Sequence, residues 1–86
     1  MRYLIVIEKA ERNYAAYVPD VPGCITTGKS VQETLRLMKE ALSGHLQLMA
    51  EDGDPIPDST TISEYIDVEL PEEALAPRRR QTKKAS

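Results

Sequence analysis

One stretch of this 86-residue chain is regular enough to be a helix of several turns, and the remaining segments must fold around it. Ser30-Val31-Gln32-Glu33 is a capping-box pattern, in which the Ser30 hydroxyl accepts from the Glu33 amide and Glu33 reaches back to the Ser30 amide. Val31, Leu35, Met38, Leu42, Leu46 and Met49 then recur with the spacing of one helical face, and Gly53 followed by Pro55 ends the pattern. The spacing predicts a helix that starts at Val31 and runs about 21 residues, roughly 32 Å. Leu37, Ala41 and Leu48 form a second strip about 100° to one side of that face. Two readings of this strip stay open: the shoulder of a wide core face, or a surface for a partner.

Short strand-like runs precede and follow the helix. Tyr3-Leu4-Ile5-Val6-Ile7, within Arg2 to Glu8, is apolar without alternation, as expected for a central strand covered on both faces. A polar turn at Ala10 to Asn13 leads to a second strand, Tyr14 to Val18, antiparallel to the first, and Cys24 to Thr27 reads as a short third. Between them lies Pro19-Asp20-Val21-Pro22-Gly23-Cys24. Proline at 22 presets φ and glycine at 23 supplies the positive φ of a type II turn, while Pro19 ends the preceding strand. In this reading Pro22 and Gly23 hold the reversal, and Asp20 is the side chain that the turn does not itself require. Two prolines make Asp54 to Ser59 a rigid return loop. Tyr65 to Leu70 alternates, with Ile66, Val68 and Leu70 on one face, and Pro71 ends it; Glu72 to Leu75 adds one helical turn. The predicted class is α+β with element order β-β-β-α-β. A right-handed crossover gives sheet order 3-2-1-4, with the one long helix on one face and the opposite sheet face open unless a partner covers it.

Charge divides the chain in two. All 14 acidic residues lie at or before Glu73, with only Arg2, Lys9, Arg12, Lys29, Arg36 and Lys39 to offset them, so residues 1–76 carry −8. Arg78, Arg79, Arg80, Lys83 and Lys84 give residues 77–86 a charge of +5. The acidic part repels nucleic acid and attracts basic partners, and the tail does the reverse. The tail is expected to be disordered; it reads either as a solvated terminus or as a nonspecific contact for nucleic acid. With no Phe or Trp, the core must be aliphatic, and a domain this small often gains stability by association, so a homodimer or larger homo-oligomer is expected. A single cysteine, a start directly in a strand pattern and no membrane-length apolar run give the expectation of a soluble cytoplasmic protein.

No catalytic constellation emerges. His45, the only histidine, falls near the edge of the helix's apolar face, and Cys24 has no evident base or metal partner. The strand order is that of the first part of a ribonuclease H fold, whose enzymes hold two metals with convergent acids. Here the middle of the first strand is Leu4-Ile5-Val6, Glu8 sits at its end, Asp67 points outward, and Glu33 and Glu40 lie on the solvated side of the helix. Neither a metal nor a cofactor is expected, and the chain reads as a non-enzyme.

The assembled pattern resembles the HicB-like antitoxins of bacterial type II toxin–antitoxin pairs. The matching residues are Tyr3 and Ile5-Val6-Ile7-Glu8, then Tyr14-Ala15-Ala16-Tyr17-Val18 running into Pro19-Asp20-Val21-Pro22-Gly23-Cys24. Gly28, Ser30 and Glu33 at the helix start, Glu40-Ala41 within it, and Asp52-Gly53 with Pro55-Ile56-Pro57 complete them. The resemblance implies a HicB-like domain over residues 1–76 with a partial ribonuclease H fold lacking the catalytic acids. It also implies a function: binding a small basic HicA-like toxin and blocking its RNA-cleaving site. Members commonly carry a further C-terminal DNA-binding segment. No such segment is read in these 86 residues, and the alternative is a stand-alone HicB-like regulator that touches nucleic acid through its tail.

Overall fold

The computed structural model describes residues 1–75. Three strands, β1 (Val6–Lys9), β2 (Tyr14–Tyr17) and β3 (Ile25–Gly28), form an antiparallel sheet in the order β1-β2-β3, followed by the long helix α1 (Val31–Glu51) and one turn of helix, α2 (Glu72–Leu75). The basic tail lies outside the described residues.

Register explains where the core lies. Ile7 pairs with Ala16 and Ala16 with Thr26, and this row faces α1, since Ala16 is wholly buried and Ile7 packs on the core. The neighbouring row, Val6–Tyr17–Ile25, must by strand alternation face the other way. Tyr17 and Ile25 are accordingly exposed, at 41% and 67%. Among the described residues the fully buried apolar ones are few: Ala16, Val18, Val21, Cys24 and Met38, with Tyr3, Ile5, Ile7, Leu42 and Leu46 partly buried around them.

Helix α1 begins and ends where its sequence signals lie, with one change of detail. Ser30 Oγ accepts from the Glu33 N–H at 3.0 Å, but the Glu33 carboxylate takes the Lys29 N–H, at 2.6 Å, rather than that of Ser30. At the far end Gly53, at φ +76°, donates to the Ala50 carbonyl, and Asp54 donates to that of Met49, which is the Schellman pattern. The inward face is rotated from the periodic one. Val31 and Leu35 are each 43% exposed, whereas Thr34 is wholly buried beside Met38. Thr34 can be buried at little cost because its hydroxyl donates to the Ser30 carbonyl at 2.7 Å.

Two expectations are corrected. β1 is an edge strand rather than a central one, and it begins at Val6 instead of Arg2, because β2 ends at Tyr17 and Pro19 turns the chain away from any pairing with residues 2–5. The fourth strand does not form within the chain. Residues 65–70 carry no helix, turn or bend and pair with no strand, with Tyr65 fully exposed and Ile66, Val68 and Leu70 at 82%, 67% and 54%. The order β1-β2-β3 therefore stands without a β4 beside β1.

Candidate functional site

The segment between β2 and β3 is two turns in succession. Val21 N–H donates to the Val18 carbonyl at 3.1 Å and Cys24 N–H to the Val21 carbonyl at 3.3 Å, so Pro19 and Pro22 each occupy the first central position of a turn. Val18 N–H closes the unit on the Cys24 carbonyl, at 3.3 Å. Gly23 has φ +86°, as the second turn requires. Val18, Val21 and Cys24, three residues apart, all point inward and are buried, while Pro22 and Gly23 are exposed. Cys24 Sγ lies 3.7 Å from Met38 Sδ, and burial pushes its thiol pKa up, so it acts as a small core hydrophobe.

Asp20 stands apart from the rest of this unit. Its Oδ2 accepts the backbone N–H groups of Thr60 and Thr61 at 2.8 and 3.0 Å, and its Oδ1 accepts their hydroxyls at 3.2 and 2.7 Å. The Thr61 backbone donor foremost and then the Thr61 hydroxyl hold the carboxyl below the usual aspartate range; desolvation opposes them, and the two Thr60 donors add smaller contributions in the same direction as Thr61. The charge is thus committed to the chain's own return loop. Tyr3 secures the same loop upstream, its hydroxyl donating to the Pro57 carbonyl at 2.6 Å. Sequence reading singled out Asp20 but not its partners, because an interaction across 40 residues leaves no local signal.

The strip on α1 divides. Leu37 is half-buried, while Ala41 and Leu48 are exposed and line an open groove of about 530 Å³ with Gly44, His45 and Gln47. Glu40 and Glu51 stand at its two ends. Gly44 deepens the groove by lacking a side chain, and an added Cβ there meets nothing within 4 Å. All of these residues belong to α1, so the groove is an open patch on that helix with Ala41, Gly44 and Leu48 between Glu40 and Glu51. His45 is half-buried along its wall rather than joined to Cys24.

Among the described residues, no group of three or more His, Cys, Asp or Glu side chains is placed to hold a metal ion, and no helix is long and apolar enough to cross a membrane. Of the residues singled out from sequence, the structure brings together Pro19, Asp20, Pro22, Gly23 and Cys24 in the double turn, and Ala41 with Leu48 in the groove. It places the two groups in separate parts of the domain.

Residues 3–74 match the model of a family described as the HicB_like antitoxin of bacterial toxin-antitoxin systems. The chain is similar, at 44% identity over 66 residues, to an uncharacterized 14.9 kDa protein from the rep-hol intergenic region of Haemophilus phage HP1; the match covers 77% of this chain and 50% of the phage protein. It is 42% identical over 57 residues to a UPF0150 protein of Archaeoglobus fulgidus, covering 63% of this chain and 83% of the relative. It is also 34% identical over 71 residues to Antitoxin HicB 2 of Photorhabdus laumondii, covering 83% of this chain and 50% of that protein. The chain thus spans about half the length of the phage and Photorhabdus relatives.

Proposed function

Since this chain belongs to the HicB_like antitoxin family, we propose that it is a noncatalytic antitoxin that binds a small basic RNA-cleaving toxin of the HicA type and blocks its active site. The observation that carries this reading is the family match across residues 3–74, which takes in the double turn, the sheet and all of α1.

The surface supports the same reading. The charge of −8 on residues 1–76 attracts a cationic partner over a distance, which raises the encounter rate and competes with RNA for the same basic surface. The groove at Ala41, Gly44 and Leu48 offers a contact of matching character. An apolar side chain of the toxin packs on that patch, while lysines or arginines beside that side chain meet Glu40 and Glu51. Leu48, 62% exposed, is the large apolar group there for a partner to cover. The return loop held by Asp20 and Tyr3 has a supporting role, keeping the domain in one shape.

The test is co-purification of this chain with the small basic product of its neighbouring reading frame. A stable complex that weakens as salt rises, and that is weakened by Leu48→Lys or by reversing Glu40 and Glu51 to lysine, is the expected result. A complex indifferent to all three substitutions moves the contact off α1. No complex with any neighbouring basic protein overturns the reading.

A further inference from the structure

Two stretches of this domain, each free of helix, turn and bend, have no backbone hydrogen-bonding partner among the described residues. The lead-in to β1, residues 2–5, precedes the first pair of the β1–β2 ladder, at Val6 and Tyr17, and makes no backbone hydrogen bond among the described residues. The arm at residues 62–70 likewise makes none. Unpaired N–H and C=O groups on an extended segment are a template for another strand. Here each of the two stretches offers what the other lacks.

Their side chains agree with their backbones. On the arm, Ile66, Val68 and Leu70 share one face by alternation and are all more than half exposed, with Ile62 and Glu64 on the same face nearer its root. The body has a gap of matching character. From Leu42 onward no residue on the inward face of α1 is fully buried; Leu42, Leu46 and Met49 are each half-covered, as expected where a sheet stops one strand short of the helix above it. A strand laid beside β1 with its apolar face toward α1 closes that gap. The lengths agree too. Nine residues at about 3.3 Å each reach roughly 30 Å, enough to run beside residues 2–9. Arg2 and Lys9, the two cations near the ends of that edge, face an arm whose other side carries Asp67 and Glu69.

The arm does not fill this place in its own chain, and the reason is visible at its root. Tyr3 fixes Pro57 and Asp20 fixes Thr60 and Thr61, so the return loop lies alongside the lead-in, with a groove of about 330 Å³ left between Arg2, Tyr3, Leu4 and Ile5 on one side and Ser59 and Thr61 on the other. The chain then leaves the body.

We propose that residues 62–70 are a donor strand for a second copy of this chain, completing the partner's sheet beside its β1 while the partner's arm does the same in return. Reciprocal exchange closes with two-fold symmetry and leaves neither arm free. This proposal does not depend on the antitoxin reading, because both elements belong to the chain itself. It supplies in the dimer the fourth strand that the sequence pattern predicts and the single chain does not form.

The experiment is light scattering with amide hydrogen exchange on the full chain, for the parent and for Val68→Pro, which removes a strand N–H. The expected parent is a dimer at tens of micromolar in which the amides of residues 2–5 and 62–70 are protected together. Val68→Pro halves the mass and removes both sets of protection while β1–β3 and α1 remain protected. Ile25→Glu, on the open sheet face, keeps the dimer. A monomeric parent overturns the proposal, whether its arm is unprotected or folded on its own body. So does a dimer whose arm amides exchange freely, or one broken by Ile25→Glu and not by Val68→Pro. Protection of the arm that arises only when a basic toxin is added also overturns it, since the occupant is then the toxin.

Discussion

Gly28 gives the clearest quantitative test of how sheet and helix are joined. It ends β3 and is buried, and a Cβ built on it falls 2.5 Å from Thr34 Oγ1, 2.9 Å from Thr34 N and 3.0 Å from Thr34 Cα. The hydroxyl cannot swing aside without giving up its 2.7 Å bond to the Ser30 carbonyl, and Thr34 N–H is held by the same carbonyl at 2.9 Å. Gly28→Ala must therefore separate the strand end from the first helical turn. Forcing one carbon into such a contact costs about 1–3 kcal/mol, and the lower entropy of the unfolded alanine chain returns about 0.4–1, a net loss of about 1.3 kcal/mol at the middle of both ranges. In a domain of this size each kcal/mol moves the melting midpoint by about 4–8 °C. Urea unfolding followed by circular dichroism reads the effect. Gly44→Ala is the internal control, since its Cβ meets nothing within 4 Å and alanine favours a helix interior by about 0.5–1 kcal/mol. The two substitutions should change stability in opposite directions. A Gly28→Ala protein as stable as the parent refutes the close-approach argument.

Other consequences follow from the double turn and the core. Gly23→Val places a β-branched residue at φ +86° and should cost about 1–3 kcal/mol by backbone strain alone, since no atom lies within 4 Å; a loss under about 0.5 kcal/mol in urea unfolding contradicts the type II assignment. Met38→Ala removes the largest fully buried side chain and should cost about 2–5 kcal/mol, and an unchanged unfolding midpoint would mean that the core lies elsewhere. Asp20→Ala should speed amide exchange at Thr60 and Thr61 while leaving β1–β3 protected; equal exchange in both proteins would show that the tether is not formed in solution. Because the folded Asp20 has a lowered pKa, its tether is fully present above the ordinary aspartate range and is lost as pH falls through the folded value. The Thr60 and Thr61 amide resonances should thus titrate together at a pH below that of an unperturbed aspartate, and a midpoint at or above it excludes the four-bond clamp.

How far the sequence could be read depended on whether each feature was local. The start of α1 at Val31 and its stop at Gly53 are set by neighbours a few residues away, and both were legible. The reversal at Pro22-Gly23 was legible for the same reason, although the preceding turn around Pro19 was not, since no glycine follows Pro19 to mark it. Hydrophobic counting found the helix but misjudged its inward face. It passed over Thr34, whose polarity is cancelled by the Ser30 carbonyl, and included Leu35, which the sheet does not reach. The clamp of Asp20 on Thr60 and Thr61 joins residues 40 apart and was invisible. Alternation at Tyr65 to Leu70 predicted a strand, but a pattern does not say which sheet receives it, and in the single chain none does. The apolar, acidic-ended groove required Gly44, a residue that shows no periodicity and matters only through the space it leaves.

The most direct test of the antitoxin reading is an RNA-cleavage assay with the small basic neighbour as the enzyme and this chain as the titrant. Cleavage should fall in proportion to added chain and stop near stoichiometric equivalence, with Leu48→Lys shifting the curve to higher concentration and higher salt doing the same. Cleavage that continues undiminished in the presence of excess folded chain would contradict the account.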